Sequence, residues 1–198
     1  KVQTHTSIRM NFLEEAYEAV DALDLDDPVL MCEELGDVLM QVAFHTCMEQ
    51  ETGRFTWEQV CDGVCQKLIE RHPNIFGTQP GYEGITDWDA LKNKEKGRRT
   101  LADDLESVPR AMPALMRAAK LQKRAARHGA ALQGADAAAL ADAAENLQTA
   151  QPASAQAEQA VGELLFAAAN LARQAGVDPE QALQKANEAF CTAAGPVA

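Results

Sequence analysis

The stretch Glu33-Glu34-Leu35-Gly36-Asp37-Val38-Leu39-Met40-Gln41-Val42-Ala43-Phe44-His45 decides the fold. Each residue of an ideal helix advances by about 100°. Glu34, Asp37, Gln41 and His45 therefore share one narrow arc, beside an apolar stripe of Leu35, Val38, Leu39 and Val42. The preceding segment repeats the pattern. Asn11, Glu15, Glu18 and Ala22 lie within an arc of about 60° by the same geometry, adjoining Phe12, Leu13, Ala16, Val20 and Leu23. Each helix is expected to carry a strip of acid at the edge of its core-facing side.

Outward from this pair, periodicity and end signals predict further helices. The first half reads as helices over Ile8–Leu23, Leu30–Glu51, Thr56–Arg71 and Asp87–Lys96. Asp26, Asp27 and Pro28 separate the first two, Gly53 closes the second, and Thr56 with Gln59 forms a capping box for the third. Pro73 stops that third helix, and residues 72–82 read as an ordered loop. The Ala-rich second half reads as Ala114–His128, Asp136–Thr149, Ala157–Gln174 and Asp178–Ala194, the last with Asp178 as N-cap and Pro179 at the first helical position. A first helical unit over 1–97, a linker over 98–113 around Pro109 and Pro113, and a second helical unit over 114–198 follow as the expected organisation.

Composition agrees with an all-α class. Of 198 residues 46% are hydrophobic and 5% aromatic, and Ala, Leu, Glu and Gln favour helix over strand. Eighteen basic against 30 acidic residues give a net charge of −12, which argues against capture of a nucleic acid duplex, an activity that rests on basic surfaces. No apolar run approaches the roughly 20 residues of a membrane span, and Lys1–Arg9 lacks a signal-peptide core, so a cytosolic setting is expected. Cys32, Cys47, Cys61, Cys65 and Cys191 read as small buried hydrophobes kept reduced.

Two carboxylate pairs on successive helices, Glu15 with Glu18 and Glu34 with Asp37, face one another if the helices pair antiparallel. Packed together they repel and resist desolvation unless cations neutralise them. Oxygen-only donors suit hard divalent ions such as Mg²⁺ or Mn²⁺. A single pair of this kind is ordinarily the solvated face of an amphipathic helix; two pairs beside apolar stripes favour a metal centre. A di-iron bundle would need Glu-x-x-His spacing, and His45 lies two turns from Asp37. Gly36, which costs about 1 kcal/mol relative to alanine inside a helix, is expected to admit a close neighbour. Lys67 and Arg71 are one turn apart, as are Trp88 and Lys92, and such cations suit the oxygens of a phosphate-bearing substrate.

Taken together, Phe12-Leu13-Glu14-Glu15-Ala16-Tyr17-Glu18, the stretch Glu33–His45, Lys67-Leu68-Ile69-Glu70-Arg71-His72-Pro73-Asn74-Ile75-Phe76-Gly77 and Trp88-Asp89-Ala90-Leu91-Lys92 closely resemble the MazG nucleoside triphosphate pyrophosphohydrolases, in order, up to about residue 125. The resemblance implies an all-α fold of four-helix bundle units completed by dimerisation, and Mg²⁺-dependent hydrolysis of a nucleoside triphosphate to the monophosphate and pyrophosphate. It implies Glu15, Glu18, Glu34 and Asp37 as metal ligands, Lys67, Arg71 and Lys92 as phosphate contacts, Trp88 as a nucleotide contact and Asn11 as a further one. Glu14 or one of the ligands is a candidate proton acceptor. Members commonly carry a Cys-Pro-Trp-Asp stretch ahead of the segment matching Lys1–Ser7, so the amino end reads as trimmed.

The second half echoes the first without its chemistry. Gly162-Glu163-Leu164-Leu165-Phe166 parallels Gly36–Met40, yet Ala160 and Glu163 stand where the second acidic pair belongs, and Ala189 and Ala193 where the basic pair belongs. The first pair survives at best as Glu145 and Gln148. One working site per chain is expected, with the second half as scaffold or regulatory surface. The alternative reading is a non-catalytic helical protein that binds nucleotides or a partner.

Overall fold

The computed structural model describes residues 3–76, 96–97 and 100–195, and among these the regular structure is helical throughout. Two compact units are formed, Lys1–Asp87 and Trp88–Ala198. The helix read over 87–96, with Trp88 and Lys92, lies outside the described residues apart from the turn at Lys96.

In the first unit α1 (His5–Leu25) and α2 (Pro28–Glu51) form a long hairpin, followed by α3 (Trp57–Arg71) and the single turn α4 (Pro73–Phe76). Local chemistry fixes the ends. Asp26 turns the chain in the left-handed region at φ 52°, and the Asp27 carboxylate accepts from the amides of Val29 and Leu30 to start α2. Gly53, at φ +71°, closes α2 while its own amide and that of Arg54 bond back to Gln50 and Glu49. Thr56 and Gln59 form the reciprocal box that opens α3.

The seam of this hairpin takes in only part of the apolar stripes, Phe12 on α1 and Val38 on α2. On α1 the buried residues are Ile8, Ala19 and Ala22, which with Phe12 and Glu15 trace one face. On α2 the matching face carries Glu34, Val38, Gln41, His45 and Glu49, of which Gln41 and Glu49 are buried. Contacts set the register: Gln41 bonds Glu15, His45 meets Phe12 edge-on and stacks on His5, and His5 Nε2 lies 2.5 Å from Glu49 Oε1. Val20, Leu23, Leu35 and Leu39 sit about 100° round from the seam by helical geometry and are 49%, 51%, 50% and 57% exposed. Those four members of the expected core-facing stripes are thus turned outward in the single chain, while Phe12, Ala16, Val38 and Val42 are half-buried. Small Ala19 and Ala22 let the two helices approach, and the large apolar side chains are left for another surface.

The second unit comprises α5 (Leu101–Glu106), α6 (Ala114–Arg127), α7 (Ala137–Thr149), α8 (Ala155–Gln174) and α9 (Pro179–Ala194). Here α7 and α8 form the principal hairpin, and α6 packs on α8. Asp178 caps α9 through the amides of Glu180 and Gln181, with Pro179 at its first position. The core is built largely from Ala125, Ala135, Ala143, Ala160, Ala167 and Ala169.

Within the segment read as a linker, residues 101–106 form α5, which packs on α6. Asp104 on α5 is 1% exposed; Arg124 Nη1 lies 3.0 Å from its Oδ1, and Arg127 Nη2 and His128 Nε2 lie 2.6 and 3.2 Å from its Oδ2. Arg124 also donates to the Asp104 carbonyl at 2.5 Å and to Ser107 Oγ. A carboxylate removed from water needs this degree of compensation.

Two further expectations are corrected. All five cysteines are free thiols, but every one is exposed rather than buried, on helix faces that the described residues do not cover. A Cβ built on Gly36 meets no atom of the described residues within 4 Å, so no close neighbour among them accounts for that glycine.

A carboxylate cluster at the α1–α2 seam

The hairpin brings Glu15 and Glu18 of α1 against Glu34 of α2, with one carboxylate oxygen from each lying within 4.8 Å of the others. Two of the three residues are half-buried and Glu18 is exposed. Asp37, half-buried one turn beyond Glu34, is outside this group of three but close enough for its charge to act on Glu34. Asn11 is exposed on α1, one turn before Glu15. Lys67 and Arg71 occupy the last two turns of α3, a helix whose main contacts are with α2 and α4.

The acids disturb one another. Although Glu18 lies at the surface, partial desolvation and then the charges of Glu34, Glu15 and Glu14 raise its pKa above the ordinary carboxylate value. Glu34 is raised by partial desolvation, then by Asp37, Glu33 and Glu15. Proximity without neutralisation is an electrostatic cost that a divalent cation would relieve.

Gln41 is the residue that sequence reasoning assigned no role. It is 5% exposed, donates from Nε2 to Glu15 Oε1 at 3.1 Å, and leaves its buried Oε1 without a hydrogen-bond partner among the described residues. Its position in the same arc as Glu34 and Asp37 was visible in the sequence, but a glutamine among apolar neighbours gives no sign of burial. The donor set is oxygen only, three carboxylates converge, and an amide holds one of them. These residues fit a hard divalent cation.

Repulsion within the cluster has a measurable sign. A carboxylate with a raised native pKa favours folding below its ordinary pKa of about 4.5 and loses that contribution as pH rises through the raised value. Metal-free protein at pH 7 is therefore expected to melt higher as Glu34→Gln than as the parent, the gap closing as the pH is lowered through the raised value to below about 4.5. A parent that melts at or above the variant at pH 7, by differential scanning calorimetry in chelator, would contradict the repulsion.

No comparable acid group occurs among the described residues of the second unit. Its hairpin encloses a cleft lined by Gly134, Asp142, Gly162, Glu163 and Phe166, in which only Asp142 and Glu163 are acidic. Glu163 accepts from Gln159 at 2.8 Å, Ala160 is buried, and Glu145, Gln148, Ala189 and Ala193 are exposed. Gly162 is the eighth residue of α8 as Gly36 is the ninth of α2, so the echo falls at equivalent places in the two hairpins. None of the described helices is long and apolar enough to cross a membrane.

The chain is similar to known proteins over most of its length. The family model of the MazG nucleotide pyrophosphohydrolase domain matches residues 3–76, the span holding α1 to α4. The nucleoside triphosphate pyrophosphohydrolase of Escherichia coli strain K12 is 39% identical over 199 residues, covering 96% of this chain and 76% of that protein. The nucleoside triphosphate pyrophosphohydrolase/pyrophosphatase MazG of Thermotoga maritima is 38% identical over 190 residues, covering 95% and 73%. A Mycobacterium tuberculosis nucleoside triphosphate pyrophosphohydrolase is 37% identical over 131 residues, 64% of this chain and 39% of that protein.

Proposed function

The chain belongs to the MazG family of nucleoside triphosphate pyrophosphohydrolases, and from that premise we propose that its α1–α2 seam is the catalytic centre. The enzyme hydrolyses a nucleoside triphosphate to the monophosphate and pyrophosphate, as a hydrolase acting on a phosphoric anhydride. The observation that carries the location is the convergence of Glu15, Glu18 and Glu34.

In this reading Glu15, Glu18, Glu34 and Asp37 hold Mg²⁺, with Mn²⁺ as a substitute. Bound there, the ion supplies Lewis acidity, muting phosphate charge and making a coordinated water more acidic. Lys67 and Arg71 of α3, with Lys92, offset charge gathering on the pyrophosphate as it leaves. Trp88 and Asn11 orient the nucleoside, and Glu14 or one of the four ligands takes the proton from the attacking water. Glu14 is near enough that its charge raises Glu18. A cytoplasmic setting, where five exposed thiols stay reduced, completes the proposal.

We also infer a homodimer, because the outward stripe of Val20, Leu23, Leu35 and Leu39 is large and apolar on a hairpin that buries little else. A second hairpin laid on that stripe makes a four-helix bundle of each pair.

The test is pyrophosphate release across a panel of nucleoside triphosphates with Mg²⁺, on protein whose mass is read by sedimentation equilibrium. Turnover by a dimer, unchanged within about twofold in Glu163→Ala, is the expected result. Absence of turnover on every nucleotide would favour a binding-only protein. A monomeric mass removes the dimer, and a large loss in Glu163→Ala removes the assignment of one working site per chain.

A further inference from the structure

The seam holds a buried polar side chain that the proposed chemistry does not use. Gln41 lies one turn beyond Asp37 on α2, is 5% exposed, and spends its amide on Glu15 across the hairpin at 3.1 Å. That bond runs between the two helices, not along one of them, so it fixes Glu15 relative to α2, the helix that carries Glu34 and Asp37. The next residue of the seam on α2 is His45, whose ring is stacked on His5 and met edge-on by Phe12, so α1 and α2 are also held together one turn beyond Gln41. The Gln41 carbonyl oxygen is buried and unpartnered among the described residues. A buried amide with one unmet acceptor costs stability, so a hydrophobic residue of similar volume would serve the fold of this hairpin at least as well.

We propose that Gln41 is a positioning residue: it holds the Glu15 carboxylate in the orientation at which Glu15, Glu18 and Glu34 converge on a divalent cation. The inference rests on the reading of that cluster as the metal centre. Outer partners of metal ligands act by fixing ligand orientation, and losing one costs about 10–100-fold in metal affinity or activity. Glu15 needs such a partner more than a fully buried ligand would, because it is half-exposed and several rotamers would point it into water.

The test compares the parent with Gln41→Met, which keeps the volume and removes both the donor and the orphaned carbonyl. Mn²⁺ binding is measured on substrate-free protein by electron paramagnetic resonance, alongside kcat, KM and the metal-free melting temperature. Expected are Mn²⁺ affinity weaker by about tenfold, kcat reduced with KM held within about twofold, and a melting temperature unchanged or raised. In a Glu15→Ala background the same substitution should change Mn²⁺ affinity by less than about twofold, since Gln41 acts through Glu15. Equal Mn²⁺ binding by parent and Gln41→Met overturns the proposal and leaves the metal centre standing. Undiminished weakening in the Glu15→Ala background overturns it as well. A variant that melts more than about 5 °C lower, the scale of a lost kcal/mol in a domain of this size, assigns Gln41 to packing instead. A parent that binds no Mn²⁺ removes the metal centre itself and this proposal with it.

Discussion

Glu34→Ala and Asp37→Ala are each expected to lower pyrophosphate release by about 10²–10³-fold or more, the scale of removing one preorganised electrostatic partner from a reacting centre. Far-UV circular dichroism should stay helical in both. Glu34 is one of the three acids whose oxygens converge, and its loss leaves Glu15 and Glu18 on α1 with no carboxylate opposite them except Asp37. Asp37 is the sharper test. Its oxygens stand outside the converged group, although its charge reaches Glu34. A full loss in Asp37→Ala means that it swings in as a fourth ligand; hydrolysis by both variants at the parental rate means that the centre is elsewhere. Neither substitution removes apolar packing, and Glu34→Ala relieves repulsion, so loss of activity should come without loss of fold.

Asp104→Asn should destabilise the second unit by about 3–5 kcal/mol, the range for breaking one side of a buried ion pair. Arg124, whose side chain is 8% exposed, would keep its charge inside the unit with no carboxylate to meet it, and Arg127 and His128 would lose the same partner. The substitution preserves shape, so a cavity cannot supply the effect. The measurement is urea unfolding followed by circular dichroism, with a midpoint fall of about 15–25 °C in the matching thermal scan. A change below about 1 kcal/mol would mean that water reaches the site and that the pair behaves as a surface one. Because Asp104 joins α5 to Arg124, Arg127 and His128, the same substitution should loosen residues 101–106 first.

The helices were legible because their signals are local. The 3.6-residue period, Asp27 and Pro28 at the start of α2, the Thr56–Gln59 box of α3 and Asp178–Pro179 at α9 act over three or four residues, and α1, α2, α3 and α6 to α9 begin and end within three residues of their expected limits. The acid pairs were legible for the same reason, since one turn is a sequence distance. The fate of Asp104 was not. Three acids in α5 look like a solvated turn until five cations on α6, Arg117, Lys120, Lys123, Arg124 and Arg127, are seen to be arranged so that two of them reach it. That long acid-free cationic run was the available signal.

The sequence by itself determined the helical class, the caps, and which acids share a face with which. Only the tertiary structure decided how far each helix is rotated about its own axis. Periodicity ranks faces by polarity and places the most apolar one inward, but a hairpin closes where its helices can approach most nearly. Here that is the face of Ala19 and Ala22, which carries Glu15 and meets Gln41, and so the acids and an amide came to lie in the seam while Val20, Leu23, Leu35 and Leu39 were turned out.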